Sequence, residues 1–208
     1  MLIFTGMDNS GKTTLVGKVA KDLGRPVVKS MGPNYTVDEK HIWLLDQMTR
    51  ERAFPGSVIF DRFLPFEEMV YGKVLRGDPI YSLDDPYMKS LKDLNPTIVY
   101  TRPSSEVIFN FGDREQMDGV IEEKVKLLMA WDDLMWGLKA RGWDIRHYDY
   151  TAENEMKARE EDSQLEESLK QFFERLFPEA LVAEGQPLEW RKGCSCNCCC
   201  EDEEEEED

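Results

Sequence analysis

The chain has 208 residues, of which 41% are hydrophobic and 33% charged, a balance typical of one soluble domain with a sizeable core. Its formal net charge is −16, and residues 201–208, all Asp or Glu, supply half of it. The rest is moderately acidic, which argues against a large duplex-DNA footprint. No apolar stretch approaches the roughly 20 residues of a membrane-spanning helix, and the first residues lack the layout of a signal peptide. We therefore expect no membrane segment and a cytoplasmic location.

All five cysteines lie near the end of the chain, at positions 194, 196, 198, 199 and 200, so the core has no thiol for a disulfide or a metal site. We expect residues 1–177 to form the folded domain, and residues 178–208 to be a loosely packed extension that ends in a disordered tail. Three interpretations of the cysteine cluster stay open: a soft-metal site, acylation, or a flexible tail with no part in catalysis.

Strand-like and helix-like patterns alternate along the chain, which predicts an α/β fold with a parallel sheet covered on both faces. The five predicted strands are 2–5, 26–29, 57–60, 97–100 and 144–148. Seven helices are predicted. The first three run from about residue 12 to Leu23, from a capping box at residues 36–39 to just before Pro55, and around residues 69–75. The other four begin after Asp85-Pro86, extend from Ser104 or Ser105 to Gly112, and span 119–141 and 153–177.

The segment after the first strand, Gly6-Met7-Asp8-Asn9-Ser10-Gly11-Lys12-Thr13-Thr14, matches the phosphate-binding loop pattern. Two glycines let successive backbone N–H groups turn inward as a nest for phosphate oxygens, and the N-terminus of the following helix adds its dipole. The strand before it and the helix after it are the context that this pattern requires. We predict that residues 6–14 bind ATP, that Lys12 reaches the β- and γ-phosphates, and that Thr13 ligates Mg²⁺. The alternative is a fortuitous glycine turn in another α/β fold.

Three charged residues near this loop are candidates for phosphoryl-transfer chemistry. Asp61 and Arg62 end the third predicted strand, at the sheet edge where open α/β folds bind ligands. Asp61 is a candidate to hold Mg²⁺ or position the acceptor, and Arg62 to grip phosphate or acceptor oxygens; the alternative is a surface pair or helix cap. Asp8 lies within an anion-binding loop, so it either accepts a hydrogen bond from an acceptor hydroxyl or stabilises the loop in an Asx-type turn.

Two further arginines are predicted to stabilise charge in the transition state. Arg102 follows the fourth predicted strand, and Arg114 lies in a Gly-Asp-Arg break typical of a lid that closes over phosphates. For either residue the alternative is an ordinary surface arginine. Phe66 and Tyr71 either wall the acceptor pocket or belong to the core, and residues 148–152 are predicted to form the adenine-side loop.

His41 and His147 have no cysteine partners and no convincing cluster of ligands around them. A metal-binding role for either histidine is therefore not expected. The magnesium ion of the predicted site relies on oxygen ligands instead, which suit a hard cation.

With these residues identified, residues 1–175 resemble the thymidylate kinase and deoxynucleoside kinase group of P-loop kinases. The loop Gly-x-Asp-x-x-Gly-Lys-Thr-Thr and the Asp-Arg-Phe at 61–63 are similar to thymidylate kinases, whereas residues 100–106 look like the strand-to-helix turn of deoxynucleoside kinases. The resemblance implies that Asp8 contacts the acceptor sugar, that Arg62 holds an acceptor phosphate and that Arg114 belongs to the lid. It also implies a three-layer P-loop NTPase sandwich with a five-stranded parallel sheet, and ATP and Mg²⁺ as cofactors; homodimers are common in this group.

One departure from the thymidylate kinase pattern affects the acceptor. That family usually carries Arg-Glu-Pro after the second strand, where this chain has Met31-Gly32-Pro33. The segment from Glu68 to Gly77 resembles divergent, often virus-encoded members, which would place the protein in a host cytoplasm. Some of these phosphorylate 5-hydroxymethyluracil bases within DNA during DNA hypermodification. Three hypotheses follow: a kinase of a small pyrimidine deoxynucleotide, a kinase of that modified base in DNA, or a non-catalytic nucleotide-binding protein.

Overall fold

A single five-stranded sheet organises the part of the chain that the computed structural model describes, residues 1–112 and 116–151. All strand pairs are parallel and the order is β2-β3-β1-β4-β5. The strands are β1 (Leu2–Thr5), β2 (Val27–Lys29), β3 (Ile59–Asp61), β4 (Thr97–Thr101) and β5 (Asp144–Tyr148). The predicted α/β class and parallel sheet are confirmed. Arg114, the predicted helix over 153–177 and the cysteine tail lie outside the described residues.

Six α-helices and one π-helix connect these strands within the described residues. They are α1 (Lys12–Leu23), α2 (Val37–Ala53), α3 (Leu64–Glu67), the π-helix (Glu68–Arg76), α4 (Pro86–Lys92), α5 (Ser105–Phe109) and α6 (Lys124–Ala140). The predicted capping box of α2 is present: Glu39 N donates to Thr36 Oγ1 at 3.3 Å, and Thr36 N donates to Glu39 Oε2 at 2.8 Å. No helix in the described ranges combines the length and apolarity needed to cross a bilayer.

Two predicted helices differ most from those observed; in addition, α5 ends at Phe109 instead of Gly112, and β3 spans residues 59–61 instead of 57–60. The helix expected over 119–141 begins at Lys124, because Gly119 has a φ of +81° and the residues that follow it form turns. The helix expected around 69–75 is a π-helix with i→i+5 hydrogen bonding that continues α3 without a break. Its apolar pairs, Met69 with Val74 and Val70 with Leu75, are five residues apart, which is the spacing of the hydrogen bonds in a π-helix.

The core lies on both faces of the sheet, because side chains alternate along each strand. On one face Leu2 and Phe4 pack with Leu15, Val16 and Val19 of α1. The larger cluster covers the other face and takes Ile3, Phe60 and Ile98 from the strands together with Leu44 and Met48 of α2 and Leu127 and Trp131 of α6. This arrangement leaves the carboxyl ends of β1, β3 and β4 side by side at one edge, where the phosphate-binding loop begins.

Candidate active site

The phosphate-binding loop is fixed to the end of β4. A Cβ atom built on Gly6, whose φ is +139°, would lie 2.5 Å from the carbonyl oxygen of Thr101, so glycine is required there. Thr101 Oγ1 donates to the carbonyl of Thr5 at 3.0 Å and lies 2.7 Å from Ser10 Oγ. The loop is thereby held at both ends by one buried threonine hydroxyl.

Asn9 ties the tip of the loop to the end of α5. Its Nδ2 donates to the carbonyl oxygens of Val107 and Asn110, each at 2.7 Å. The backbone of Asn9 is left-handed, with a φ of +63°, which asparagine tolerates better than most residues. The pattern identified Asn9 only as part of the loop, since nothing in the sequence relates it to residues about a hundred positions away.

Lys12 is buried, with 4% of its surface exposed, and its amine donates to the carbonyl of Met7 and, at 3.3 Å, to Ser10 Oγ. Burial, and then the neighbouring charge of Arg62, lower the pKa of Lys12 to about 7, although Asp8 and two other carboxylates raise it. The ammonium group is thus surrounded by too few anionic oxygens to hold its proton firmly. An oxyanion at this position would supply the missing negative charge.

Asp8 and Arg62 form an ion pair that two other side chains complete. The second guanidinium arm of Arg62 donates to Glu67 Oε1 at 2.9 Å, and the Tyr71 hydroxyl donates to Asp8 Oδ2 at 2.9 Å. Burial opposes ionisation of Asp8, but the charges of Arg62 and Lys12 and the two hydrogen bonds hold its pKa below the usual value. Burial and the Asp8 charge raise the pKa of Tyr71, so its hydroxyl remains a donor.

Asp61 provides an oxygen that lacks a protein partner. Its side chain is 8% exposed, and within residues 1–112 and 116–151 its Oδ1 has no hydrogen-bond partner. Thr13 lines the same cavity. A carboxylate and a hydroxyl are hard oxygen ligands that suit Mg²⁺, which proteins usually hold through one or two carboxylates plus substrate phosphates. No three His, Cys, Asp or Glu side chains form a cluster that could hold a metal ion in the described part of the chain.

A cavity of about 330 Å³ joins these groups to the π-helix. The predicted residues Thr13, Asp61, Arg62 and Tyr71 all line it. Other lining residues come from the segment after β2 and from the π-helix, and they include Met31, Gly32, Pro33, Glu68 and Arg76. The sequence therefore indicated the end of the cavity next to the phosphate-binding loop and the segment Met31-Gly32-Pro33, but not that Glu68 and Arg76 line the opposite wall.

A buried charge network builds that opposite wall. Lys40 Nζ donates to Glu68 Oε1 at 3.0 Å and to the carbonyl of Pro33 at 3.2 Å, and Arg76 donates to Glu68 Oε2 at 2.6 Å. The side chains of Lys40 and Glu68 are only 3% and 4% exposed. Neither residue carries a sequence signal, since a lysine and a glutamate 28 positions apart look like ordinary surface residues.

Arg102 lies outside this cavity lining. Its guanidinium forms a fork with Asp132 of α6, Nε to Oδ1 at 3.0 Å and NH2 to Oδ2 at 3.2 Å, while NH1 donates to the carbonyl of Pro103 at 2.8 Å. Tyr100 donates to the same carboxylate at 2.7 Å. A role for Arg102 in the transition state stays a prediction, and it would require release from Asp132. Arg114 lies outside the described residues.

The aromatic candidates separate into two environments. Phe66 is fully buried against the rings of Phe63 and Trp143, as the core interpretation predicts. Tyr71 is also buried, but it lines the cavity. His41 packs against the rings of Tyr81 and Tyr87.

The loop after β5 lies next to the phosphate-binding loop. A Cβ on Gly11, whose φ is +80°, would lie 2.6 Å from a ring carbon of Tyr150. Asp149 Oδ1 accepts from Thr151 N at 2.8 Å, and Thr151 Oγ1 accepts from Ser104 N at 2.9 Å. These contacts bring the part of the predicted adenine-side loop up to Thr151 into position beside the first turn of α1.

Comparison with known proteins supports the fold. No protein-family model matches the chain. No curated protein sequence matches it significantly. Among solved structures, the YorR protein from Bacillus subtilis in complex with phosphorylated GDP is 19% identical with a TM-score of 0.59, over 82% of this chain and 97% of that one. Deoxyadenosine kinase from M. mycoides with bound dATP is 17% identical with a TM-score of 0.52, over 79% of this chain and 98% of that one.

The same kinase with bound dCTP is 15% identical, with a TM-score of 0.50, over 80% of this chain and all of that one. At these identities the likeness concerns the fold. The described residues, with their all-parallel five-stranded sheet, thus share the α/β fold of these solved structures.

Proposed function

We propose that the protein is an ATP- and Mg²⁺-dependent phosphotransferase that moves the γ-phosphoryl group to a nucleoside or nucleotide acceptor in the 330 Å³ cavity. One observation carries the proposal: Thr13 of the phosphate-binding loop, Asp61 and Arg62, which pairs with Asp8, line the same cavity. Donor groups and acceptor groups therefore meet at the sheet edge where ligands bind in open α/β folds.

On the donor side, the backbone amides of the loop and the α1 N-terminus would cradle the phosphates. Lys12 would exchange its contact with the Met7 carbonyl for phosphate oxygens, which would restore its full positive charge. Thr13 and Asp61 would hold Mg²⁺, which supplies charge neutralisation between the β- and γ-phosphates when it is bound. The Tyr150 ring against Gly11 would form one wall for the donor base.

On the acceptor side, Asp8 would orient the reacting hydroxyl group. Its lowered pKa keeps it a carboxylate at neutral pH, and each carboxylate oxygen has lone pairs left after the contacts with Arg62 and Tyr71. Arg62 would balance charge as the phosphoryl group arrives. Because phosphoryl transfer passes through a loose transition state, positioning and charge stabilisation account for most of the catalysis.

We propose two specific acceptors for this cavity. The first is a free pyrimidine deoxynucleotide, favoured by the places of Asp8 and Arg62. The second is a 5-hydroxymethyluracil base within DNA, favoured because Met31-Gly32-Pro33, instead of an arginine, lines the cavity. Transfer to either acceptor requires the same ATP-binding site.

The experiment is phosphate transfer from γ-labelled ATP by the full chain with Mg²⁺. The acceptor panel contains deoxynucleosides, their monophosphates, and DNA with and without 5-hydroxymethyluracil. We expect label on at least one pyrimidine acceptor, no turnover with Lys12→Ala and normal turnover with Lys21→Ala, which removes an exposed lysine of the same helix.

Two outcomes contradict the proposal in different ways. ATP binding without transfer to any acceptor would support the non-catalytic alternative. An absence of Mg²⁺-ATP binding by folded protein would reject the phosphate-binding assignment itself.

A further inference from the structure

A chain of hydrogen bonds joins Lys12 of the phosphate-binding loop to strands β4 and β1. Thr101 Oγ1 lies 3.0 Å from the carbonyl oxygen of Thr5 and 2.7 Å from Ser10 Oγ. A threonine hydroxyl has one hydrogen, and a carbonyl oxygen can only accept, so Thr101 gives that hydrogen to Thr5. In the remaining bond Ser10 is therefore the donor and Thr101 the acceptor.

The direction of that bond determines how Ser10 meets Lys12. Ser10 has one hydroxyl hydrogen, which it donates to Thr101, so its oxygen turns a lone pair toward the Lys12 ammonium 3.3 Å away. An ammonium group has three N–H donors and no acceptor, so a lone pair is the partner that it requires. The bonds thus run in one direction, from Lys12 through Ser10 and Thr101 to the backbone of β1.

Burial preserves this direction. Thr5 and Ser10 are fully buried, and Thr101 and Lys12 are only 1% and 4% exposed. Because bulk water does not replace a lost partner in a buried chain, each hydroxyl keeps the orientation that its neighbours set. Gly6 leaves room for the chain, since a Cβ atom there would lie 2.8 Å from Thr101 Oγ1 and 3.3 Å from Ser10 Oγ.

We propose that Thr101 is a positioning residue for phosphoryl transfer, which acts through Ser10 to aim the Lys12 ammonium at the transferred phosphoryl group. The inference rests on the proposed function and adds to it a residue outside the loop pattern. When Lys12 leaves the Met7 carbonyl for phosphate oxygens, Ser10 Oγ remains its fixed protein acceptor and directs the other N–H groups toward the ligand. Without the Thr101 hydroxyl, Ser10 can turn its own hydrogen toward Lys12, which sets O–H against N–H.

The first test is Thr101→Val, which keeps the shape of the side chain and removes its hydroxyl. In the labelled-ATP assay with the best acceptor of the panel, we expect kcat to fall about 10–100-fold, as for a misplaced catalytic group. The Kd for Mg²⁺-ATP, measured by calorimetry, should change less than about threefold, because the backbone amides of the loop supply most of the phosphate contacts. Thr101→Ser keeps the hydroxyl and should restore most of the turnover.

The matched control is Thr97→Val at the other end of β4. Thr97 is also buried, and its hydroxyl donates to Asp144 Oδ2 at 3.0 Å. The same substitution on the same strand therefore removes a hydrogen bond, and it should lower the melting temperature without lowering kcat. If Thr97→Val and Thr101→Val reduce kcat equally, or if Thr101→Ser does not restore it, the positioning role is overturned.

A double variant tests the path through Ser10. Ser10→Ala alone should lower kcat as Thr101→Val does. In the Ser10→Ala background, Thr101→Val should lower kcat by less than about twofold further, since the effects of residues that act through one contact do not add. Losses that multiply would mean that Thr101 acts independently of Ser10, which overturns the proposed path.

Neutron diffraction of the unliganded protein separates this inference from the proposed function. We expect the deuterium of the Ser10 hydroxyl to lie between Ser10 Oγ and Thr101 Oγ1. A deuterium directed at Lys12 or at the Met7 carbonyl would overturn the chain of hydrogen bonds even in an active kinase. If the deuterium lies as expected but no acceptor is phosphorylated, the chain of hydrogen bonds is upheld and the kinase is rejected.

Discussion

Tyr71 in the π-helix donates its hydroxyl hydrogen to Asp8 of the phosphate-binding loop at 2.9 Å, across 63 positions of sequence. We expect Tyr71→Phe to lose about 1.5–3 kcal/mol of stability, as for a hydrogen bond to a charged group. The acceptor KM should rise and ATP affinity should not change. Denaturant unfolding and steady-state kinetics measure the two effects.

The matched control for that variant is Tyr81→Phe. The Tyr81 hydroxyl is buried, and within the described residues it has no hydrogen-bond partner. Its removal should leave stability unchanged or slightly raised, since no bond is lost. Equal losses from both variants would mean that the contact between Tyr71 and Asp8 contributes nothing specific.

The pKa of Lys12, about 7, predicts that nucleotide binding takes up a proton in alkaline solution. Near pH 8.5 the free amine is mostly neutral, and phosphate oxygens favour its charged form, so close to one proton should be taken up on binding. At pH 6 the amine is already charged and the uptake should vanish. Calorimetry in buffers of different ionisation enthalpy counts the protons.

Lys12→Arg is the control, because its guanidinium is charged throughout this range and should show no uptake. Proton uptake that is unchanged in Lys12→Arg would assign the proton to another group.

The lowered pKa of Lys12 also affects the stability of the fold. Below about pH 7 the buried amine is charged, which lowers the free energy of unfolding. As the pH rises from about 7 toward 10.5, the folded protein holds the amine neutral, so the free energy of unfolding rises.

The Asn9 amide predicts a graded response to substitution. Asn9→Gly keeps the left-handed backbone and loses only the amide, whereas Asn9→Asp places a carboxylate against the carbonyls of Val107 and Asn110. We expect Asn9→Asp to be the less stable variant, by about 1–3 kcal/mol relative to the native chain. Thermal unfolding of both variants tests this, and the reverse order would contradict the assigned contacts.

Gly72→Ala and Gly17→Ala should change stability in opposite directions. In the middle of a helix, alanine is favoured over glycine by about 0.5–1 kcal/mol, and a Cβ at Gly17 of α1 meets nothing within 4 Å. At Gly72 three close neighbours resist the added carbon, so we expect a loss of about 1–3 kcal/mol from overpacking. Chemical denaturation compares them, and a gain at both positions would mean that the wall near Gly72 adjusts freely.

Asp61→Asn should separate stability from magnesium dependence. The substitution removes a buried charge whose Oδ1 lacks a partner in the described residues, so the fold should be retained. Turnover should fall about 10–100-fold and require more Mg²⁺, as for removal of a group that orients a metal site. A magnesium titration of the initial rate measures the Mg²⁺ concentration that gives half the maximal rate. If that concentration is unchanged in Asp61→Asn, Asp61 does not belong to the metal site.

The sequence identified those parts of the site that local chemistry dictates. Gly6, Lys12 and Asp61 could be predicted from the sequence, because a loop pattern and the end of a strand locate them. That prediction does not depend on knowing which residues they contact in the fold. The network of Lys40, Glu68 and Arg76 was not, since charged residues far apart in sequence carry no sign of burial until the fold brings them together.

The same limit applies to the elements. The five strands and the capping box of α2 follow from periodicity and local hydrogen bonding. The π-helix was predicted as an ordinary helix, because a run of nine helical residues rarely adopts i→i+5 bonding without tertiary support. The apolar periodicity around Gly119 predicted a helix from that residue, but its left-handed backbone delays the start of α6 to Lys124.

The π-helix gives the acceptor wall an unusual sensitivity to chain length. Each of its turns contains more residues than an α-helical turn, so deleting a single residue between Glu68 and Arg76 would allow the segment to relax to the commoner geometry. That relaxation would rotate Arg76 about the helix axis relative to Glu68 and Tyr71. Under the proposed function, a one-codon deletion in this segment would therefore change the acceptor wall and leave every side chain of the phosphate-binding loop intact.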